Sequence, residues 1–367
     1  VWPEYPRPQL ERDSYLNLNG WWEYAINRAD EPPERFDGRI LVPFSPECEL
    51  SGVRRALGPE DTLWYRRRFT LPEGFAKYHT LLHFGAVDQT CEAWLNGARL
   101  GGHEGGYTAF YFAVREALRE GENTLLLRVR DDTDATCHSR GKQSSAPRGI
   151  WYTAQSGIWQ TVWLESVPRV YVRDLRIVPR LEKRGVELTV FSDEGEIAEV
   201  AIGETVYPVR ANQPTLLPLE RVALWSPEHP NLTPMEIRLG EDTVHSYFAM
   251  RSVTVERDER GMPRLFLNGK PYFQLGLLDQ GYWPDGLYTP PSDEAMLADL
   301  QAAKRMGFNM LRKHIKVEPM RWYFHCDRLG LLVWQDMPSG GGAYRPDVIS
   351  LPLVTGLHRN DGAYRAF

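Results

Sequence analysis

Hydrophobic positions in the first part of the chain come in short runs of strand length. Trp21 to Ala25, Leu63 to Leu71, Thr80 to Val87, Cys91 to Leu95 and Thr124 to Arg130 are such runs, and turn residues separate them. Ile158 to Glu165 adds another, carrying Trp159 and Trp163. Between two of the runs stands Asn96-Gly97, a pair suited to the type I′ hairpin turn because both positions need positive φ. This spacing predicts a β-sandwich over residues 1–168. A second set of short runs follows: Val170 to Val178, Val186 to Phe191, Ile197 to Ile202, Thr205 to Val209, Met235 to Leu239 and Val244 to Met250. Their number and length fit an immunoglobulin-like sandwich without a disulfide over 169–255.

From residue 256 the period changes. Leu265 to Leu267 and Asn268-Gly269 predict a small hairpin, and Tyr272 to Leu278 an apolar strand. A long loop, Asp279 to Pro291, carries Tyr282, Trp283 and Tyr288. Ser292 then caps a helix whose first turn holds Asp293 and Glu294 and whose buried stripe is Met296, Leu300 and Ala303. Gly307 stops it, and Phe308 to Leu311 reads as the next strand. Pro319 suits the first turn of a second helix that Gly330 ends, and Leu331 to Trp334 is a third strand. Strand–helix alternation predicts a parallel sheet with right-handed crossovers. Arg312, His314, Gln335 and Asp336 then fall where parallel strands end, the face on which (β/α) barrels build active sites. After Asp336, the stretch Pro338 to Gly342 opens a long loop. The expected fold is therefore multidomain: two β-sandwiches and, over 256–367, the first strands and helices of a (β/α)8 barrel. A barrel needs about 250 residues, so the chain reads as the front part of a longer protein.

Composition narrows the classes. The 367 residues are 42% hydrophobic and 25% charged, enough apolar material for two or three cores. Net charge is −6, the pI is near 5.9 and no basic run exists, which argues against a nucleic-acid partner. No apolar run approaches the roughly 18 residues of a membrane span. The start, Val1 to Pro6, does not read as a signal peptide, but it also lacks Met, so processing or cropping would hide one. The compartment stays open between cytoplasm and a periplasmic or secreted location. Cys48, Cys91, Cys137 and Cys326 are scattered without a Cys-x-x-Cys and read as free core residues. Twelve Trp and 17 Tyr suit large cores and also stacking on sugar rings. Gly101 to Gly106 looks like a phosphate loop, but no helix follows it and no Lys-Ser/Thr closes it.

Several motifs, taken in order, carry a resemblance. They are Leu18 to Trp21, Leu63 to Phe69, Phe84 to Asp88, Trp94 to Gly97, Gly121 to Leu125 and Ser156 to Glu165. Leu224 to Pro227, Tyr247 to Arg251, Asn309-x-x-Arg312, Tyr323, Cys326-Asp327 and Gly330-Leu331 follow. Together they resemble glycoside hydrolase family 2, the β-galactosidase, β-glucuronidase and β-mannosidase group. The resemblance covers essentially the whole chain. It implies a sugar-binding jelly roll, an immunoglobulin-like domain and a barrel. It also implies a retaining β-glycosidase with a carbohydrate substrate and two glutamates about 5–5.5 Å apart. In the family the acid/base comes from an Asn-Glu pair on a later strand. No such pair follows Asp336, where Asp347 and Asp361 are the only acids. Both catalytic glutamates are therefore expected beyond these residues, and the chain alone is expected to be inactive. A non-catalytic, lectin-like carbohydrate-binding protein is the alternative, and a pure scaffold a third reading. Homo-oligomerisation stays open.

The resemblance also assigns site residues. Arg312 is expected to orient the nucleophile carboxylate, against pairing with a neighbouring strand's acid. Asp336 is expected to support the site. His314, Asp279, Gln280, Tyr282, Trp283 and Trp334 are candidates for sugar contacts, each against packing or capping within its loop. Trp151 lies in the jelly-roll loop that reaches the active site in this family, where its galactosidases and glucuronidases tend to carry Asp. That departure weakens transfer of either specificity. The family's Glu-x-His magnesium pattern is absent, so no metal and no cofactor are expected.

Overall fold

A computed structural model describes residues 1–136 and 138–340. The first runs form two antiparallel sheets. One has six strands in the spatial order Gly38–Val42, Gly20–Asn27, Thr62–Thr70, Glu122–Arg130, Thr90–Leu95 and Ala98–Glu104. The other has four: Leu16–Asn17, Val162–Val167, His79–Phe84 and Phe110–Ala113. Strict alternation puts Leu125, Leu127 and Val129 inward, against Leu82, Phe84 and Leu164 of the facing sheet. Asn96 (φ +52) and Gly97 (φ +85) make the tight turn between Thr90–Leu95 and Ala98–Glu104, as their sequence demands. One expectation needs correction. The run Ile158 to Glu165 is two pieces, Gly157–Ile158 and Val162–Val167, which pair with different strands. Gly101 and Gly102 lie inside a strand, where a Cβ would meet Phe112 or the Cys91 carbonyl.

A second pair of antiparallel sheets follows. Three strands, Asp174–Arg180, Gly185–Phe191 and Thr215–Pro218, face four, Thr205–Arg210, Ile197–Ile202, Thr233–Leu239 and Asp242–Phe248. Val186, Leu188, Val190, Val200, Ile237 and Val244 fill the space between them. The two sandwiches are tied by buried charge. Glu165 accepts two hydrogen bonds from Arg7, both 2.8 Å, and further ones from Arg12 (3.1 Å), Trp163 Nε1 (3.0 Å) and the Tyr5 hydroxyl. Arg12 reaches across to Asp242 in the second unit, at 3.0 and 2.9 Å. Burial alone would raise the Glu165 carboxyl, but Arg7, His83 and Arg12 outweigh it and hold it well below the usual range.

The remaining described residues alternate strand and helix. Gly276–Asp279, Met310–Lys313 and Leu332–Gln335 form a parallel sheet, with helix α1 (Asp293–Arg305) and helix α2 (Met320–Leu329) as crossovers. Ser292 caps α1 by accepting from Ala295 N at 3.1 Å, and Gly330 closes α2 in the left-handed region. Gly330 is required twice over, because a Cβ there would also lie 2.5 Å from the Pro227 carbonyl. Met296, Leu300, Ala303, Leu311, Trp322 and Cys326 pack between sheet and helices. The first parallel strand begins at Gly276, four residues later than the apolar pattern predicts. Asn309 explains the delay: its side chain accepts from Leu275 N (2.9 Å) and donates to the Phe273 carbonyl (3.0 Å), taking the place of ladder bonds. Asp327 anchors α2 to the second sandwich through Arg251 (2.7 Å), the Tyr247 hydroxyl (3.1 Å) and Trp225 Nε1 on its carbonyl (2.7 Å). Cys48, Cys91 and Cys326 are free and buried, whereas Cys137, Asp347 and Asp361 lie outside the described residues. Among the described residues no helix is long and apolar enough to cross a membrane.

Candidate active site

The three parallel strands bring four of the expected residues into one row of polar side chains. Register aligns Leu278, Arg312 and Trp334, so the pleat turns all three to the same face. Leu311 and Lys313 point the other way, toward α1 and α2. On the open face Arg312 Nε lies 3.2 and 3.1 Å from the two Asp336 oxygens, and the ion pair closes at 3.0 Å. His314 Nε2 is 3.9 Å from Asp336, and His314 Nδ1 is 3.3 Å from Gln280 Nε2. Gln280, His314, Asp336 and Arg312 thus link the ends of all three strands. Arg312 remains half exposed, so its guanidinium has donors left for another acceptor. Trp334, also half exposed, donates to Gln274 at 2.5 Å beside this row. Desolvation and Lys142 push His314 below its ordinary pKa, Asp336 opposes them, and Arg312 adds a smaller push.

The other loop candidates lie elsewhere. Asp279 sits one residue past Leu278, so the pleat sends its carboxylate to the helix side, where it pairs with Lys313 at 2.8 Å and caps Gly281 N at 2.9 Å. Tyr282 joins a buried cluster with Tyr107, Trp159 and Tyr288, and Tyr152 stacks on it at 4.3 Å. Trp283 bridges to Leu287 in a tight turn. Asp279, Gln280, Tyr282 and Trp283 line a cavity of about 770 Å³ that also touches Met296, Ala303 and Leu311. It opens on the α1 side of the first parallel strand, not over Arg312. Among the described residues, polar groups from all three strand ends converge at the Arg312 row.

Trp151 belongs to a sandwich loop that docks on the segment after the third strand. Arg140 N and Gly141 N both donate to the Ser339 carbonyl at 2.9 Å, which lays this sandwich loop across the end of the third strand. Gln143–Ser144 then pairs in parallel with Tyr152–Thr153, beside Trp151. The Trp151 ring is engaged by cations, with Arg140 Cζ at 4.5 Å and Lys142 Nζ at 5.7 Å from its centroid.

Sequence reading missed the buried ions beneath the site. Lys316 is fully buried and donates to the carbonyls of Gly281 (2.6 Å) and Tyr288 (2.8 Å) and to Glu318 (2.9 Å). It thereby pins both ends of the loop that follows the first strand. Burial pushes its ammonium down to about 8, against the pull of Glu318. Lys313 completes the cluster at 2.8 Å from Glu318. The signal available was Lys313-x-x-Lys316-x-Glu318 after a strand, which reads as readily as solvated charge. Among the described residues no group of three His, Cys, Asp or Glu side chains forms a metal site.

The architecture is two antiparallel sandwiches, the first of which delivers a loop toward the ends of parallel strands. Residues 53–168 match the family model described as "Glycosyl hydrolases family 2, sugar binding domain". Among curated relatives, a putative beta-glucuronidase of Formosa agariphila is 26% identical over 92% of this chain and 43% of its own length. A beta-galactosidase of Thermoanaerobacter pseudethanolicus is 24% identical over 88% of this chain and 46% of its own. The chain therefore spans less than half the length of these two relatives. A solved beta-D-glucuronidase of Dictyoglomus thermophilum superposes with a TM-score of 0.74 at 20% identity, over 94% of this chain and 61% of that one. That likeness is one of fold. The family resemblance carried by the sequence motifs is borne out.

Proposed function

We propose that the chain is the front part of a retaining β-glycosidase that cleaves terminal β-linked sugars. Its parts would be a jelly roll over 1–168, an immunoglobulin-like sandwich over 169–255 and the opening of a (β/α)8 barrel over 256–367. The observation that carries this reading is the row Gln280, His314, Asp336 and Arg312 at the ends of three parallel strands, overlain by the Trp151 loop. Retaining hydrolysis needs an acid/base and a nucleophile about 5–5.5 Å apart. Asp336 is committed to Arg312, and Asp279 and Glu318 to lysines, so none of these is free to serve. Both catalytic glutamates are assigned to residues beyond the 367. In this reading Arg312 turns its remaining donors to the nucleophile carboxylate and keeps it ionised. Asp336 and His314 hold the guanidinium and the Gln280 amide in place, and Trp151 and Trp334 wall the sugar. Exposed Leu278, Phe273 and Met337 support continuation of the barrel, since such apolar area is otherwise left in water.

The test is a panel of nitrophenyl β-galactoside, glucuronide, mannoside and glucoside. The complete gene product should hydrolyse at least one of them and release the β-anomer first, read by NMR, while the 367-residue chain hydrolyses none. Turnover that copurifies with the folded chain, or an α-anomer released first, contradicts the proposal.

A further inference from the structure

The loop that carries Trp151 is gripped at its base by carboxyl groups that the glycosidase reading leaves unused. Asp88, 2% exposed, accepts on one oxygen from Gln143 Nε2 at 2.7 Å and from Gln155 Nε2 at 3.3 Å. Gln143 Oε1 in turn accepts from Gln155 N at 2.8 Å, so residues 143 and 155 close around Asp88. One residue on, Ser156 donates its hydroxyl to Asp131 at 2.8 Å and its N–H to Glu47 at 3.0 Å. Between these anchors stand Trp151 and Tyr152, and Tyr152 stacks on Tyr282 of the loop after the first parallel strand.

The base of this loop is rich in acids. Asp131 and Glu47 act on Asp88, and Asp88 acts in turn on Tyr107, Tyr282 and Tyr288. Asp132 acts on Asp131, and Glu47 meets Tyr65 and Cys48. The loop's own cations are turned elsewhere: Arg140 donates to the Gln143 carbonyl at 2.6 Å, and with Lys142 it lies against the Trp151 ring. Burial pushes Asp131 up to about 6, against hydrogen bonds from Thr133 and Ser156. Burial first, and Asp131 next, hold Asp88 well above the ordinary carboxyl range. Asp131 therefore ionises first, and its charge keeps Asp88 neutral to higher pH. A neutral acid accepts the two amides without a buried charge, whereas a carboxylate there gains by letting water in. We propose that Asp88 is a positioning residue for the sugar site: its uncharged carboxylic acid latches the 143–155 loop, and with it Trp151, and its ionisation releases the loop. Because the docked state keeps the proton, docking is complete at acid to neutral pH and is lost in the alkaline range. That the loop walls a sugar rests on the glycosidase reading; the latch itself does not.

The experiment is limited trypsin digestion of the complete gene product from about pH 6.5 to about pH 9.5, with wild type, Asp88→Asn and Asp131→Asn. Cuts after Arg140 and Lys142, read by mass spectrometry, report release, because both residues are buried while the loop is docked. Comparing rates at the same pH removes the protease's own pH dependence. Asparagine keeps the shape and the acceptor oxygen of the protonated acid. Wild type and Asp88→Asn should be cut alike at the acid end, and wild type about 10-fold faster at the alkaline end. Asp131→Asn removes the charge that keeps Asp88 neutral, so its release should set in about one pH unit lower than in wild type. Parallel curves for wild type and Asp88→Asn, an Asp88→Asn variant cut faster at every pH, or an Asp131→Asn onset at or above that of wild type, overturn the proposal. If Asp88→Asn does not melt cooperatively, the Asp131→Asn shift decides. On the aryl β-glycoside that the wild type cleaves best, KM should rise over the same range more in wild type than in Asp88→Asn; equal profiles overturn the positioning role. If the wild type cleaves none, the glycosidase reading fails separately, and the digestion still decides the latch.

Discussion

Replacing Arg12 with alanine should loosen the joint between the two sandwiches more than any other single truncation at that joint. The Arg12 side chain is 4% exposed and sits between two buried carboxylates, Glu165 and Asp242. Arg7 and Arg12 face Glu165 and Asp242, so the charges balance. Without Arg12, Glu165 keeps Arg7, Tyr5 and Trp163. Asp242 keeps only the Val172 N–H at 2.8 Å among the described residues, and its charge is then buried without a cation. Breaking such a pair costs about 3–5 kcal/mol, far above the 0–1 of an exposed one. Arg7→Ala should cost less, because the Arg7 side chain is 23% exposed and Glu165 keeps Arg12. Removing Asp242 together with Arg12 should cost less than the two single losses added, by about 2 kcal/mol, because no orphan charge remains. The assay is urea unfolding, read as a shift in midpoint at unchanged slope. The reasoning is refuted if Arg12→Ala stays within about 1 kcal/mol of wild type, or if the double variant is additive.

Three further outcomes are expected. Burial pushes Glu47 up to about 8, with Asp131 adding to the rise. The native state therefore binds more protons than the unfolded chain as pH rises from the ordinary carboxyl range to 8, and stability falls across that window. Glu47→Gln should melt above wild type at pH 8.5 and lose that advantage near pH 5; an offset independent of pH argues against it. Gly281 has φ +65, and a Cβ there would lie 2.3 Å from Glu318 and 2.8 Å from Lys316. Gly281→Ala should then destabilise by about 1–3 kcal/mol and expose the 279–291 loop to protease; an unchanged digestion pattern contradicts the loop-pinning role. In the complete gene product, Trp151→Ala should raise KM with a smaller change in kcat, because stacking holds ground and transition states about equally; steady-state kinetics with the best substrate decides it.

What could be read from the sequence was local. Alternation in Leu125 to Val129, the Asn96-Gly97 turn, the Ser292 cap and the Gly330 stop each act within a few residues, and each appears where the pattern places it. Arg312, His314 and Asp336 were legible because strand-helix alternation alone puts them at strand ends. The side of the sheet was not. The apolar run ends at Leu278, but the strand continues to Asp279, and one residue of pleat separates the Arg312 face from the helix side. Asp279 therefore pairs with Lys313 instead of facing a sugar. The clusters around Glu165 and Lys316 join residues separated by up to 230 positions, and no periodicity signals a charge that is buried only by tertiary packing.

Initial-rate kinetics of the complete gene product and its Arg312→Ala variant, on whichever aryl β-glycoside the wild type turns over best, test the central claim most directly. If Arg312 fixes the nucleophile at the end of the second parallel strand, kcat should fall by roughly two to four orders of magnitude, the scale of losing a preorganised charged contact. Melting temperature should change little, because Arg312 is half exposed. A wild type inert toward every β-glycoside, or an Arg312→Ala variant whose kcat/KM stays within twofold, would contradict the account.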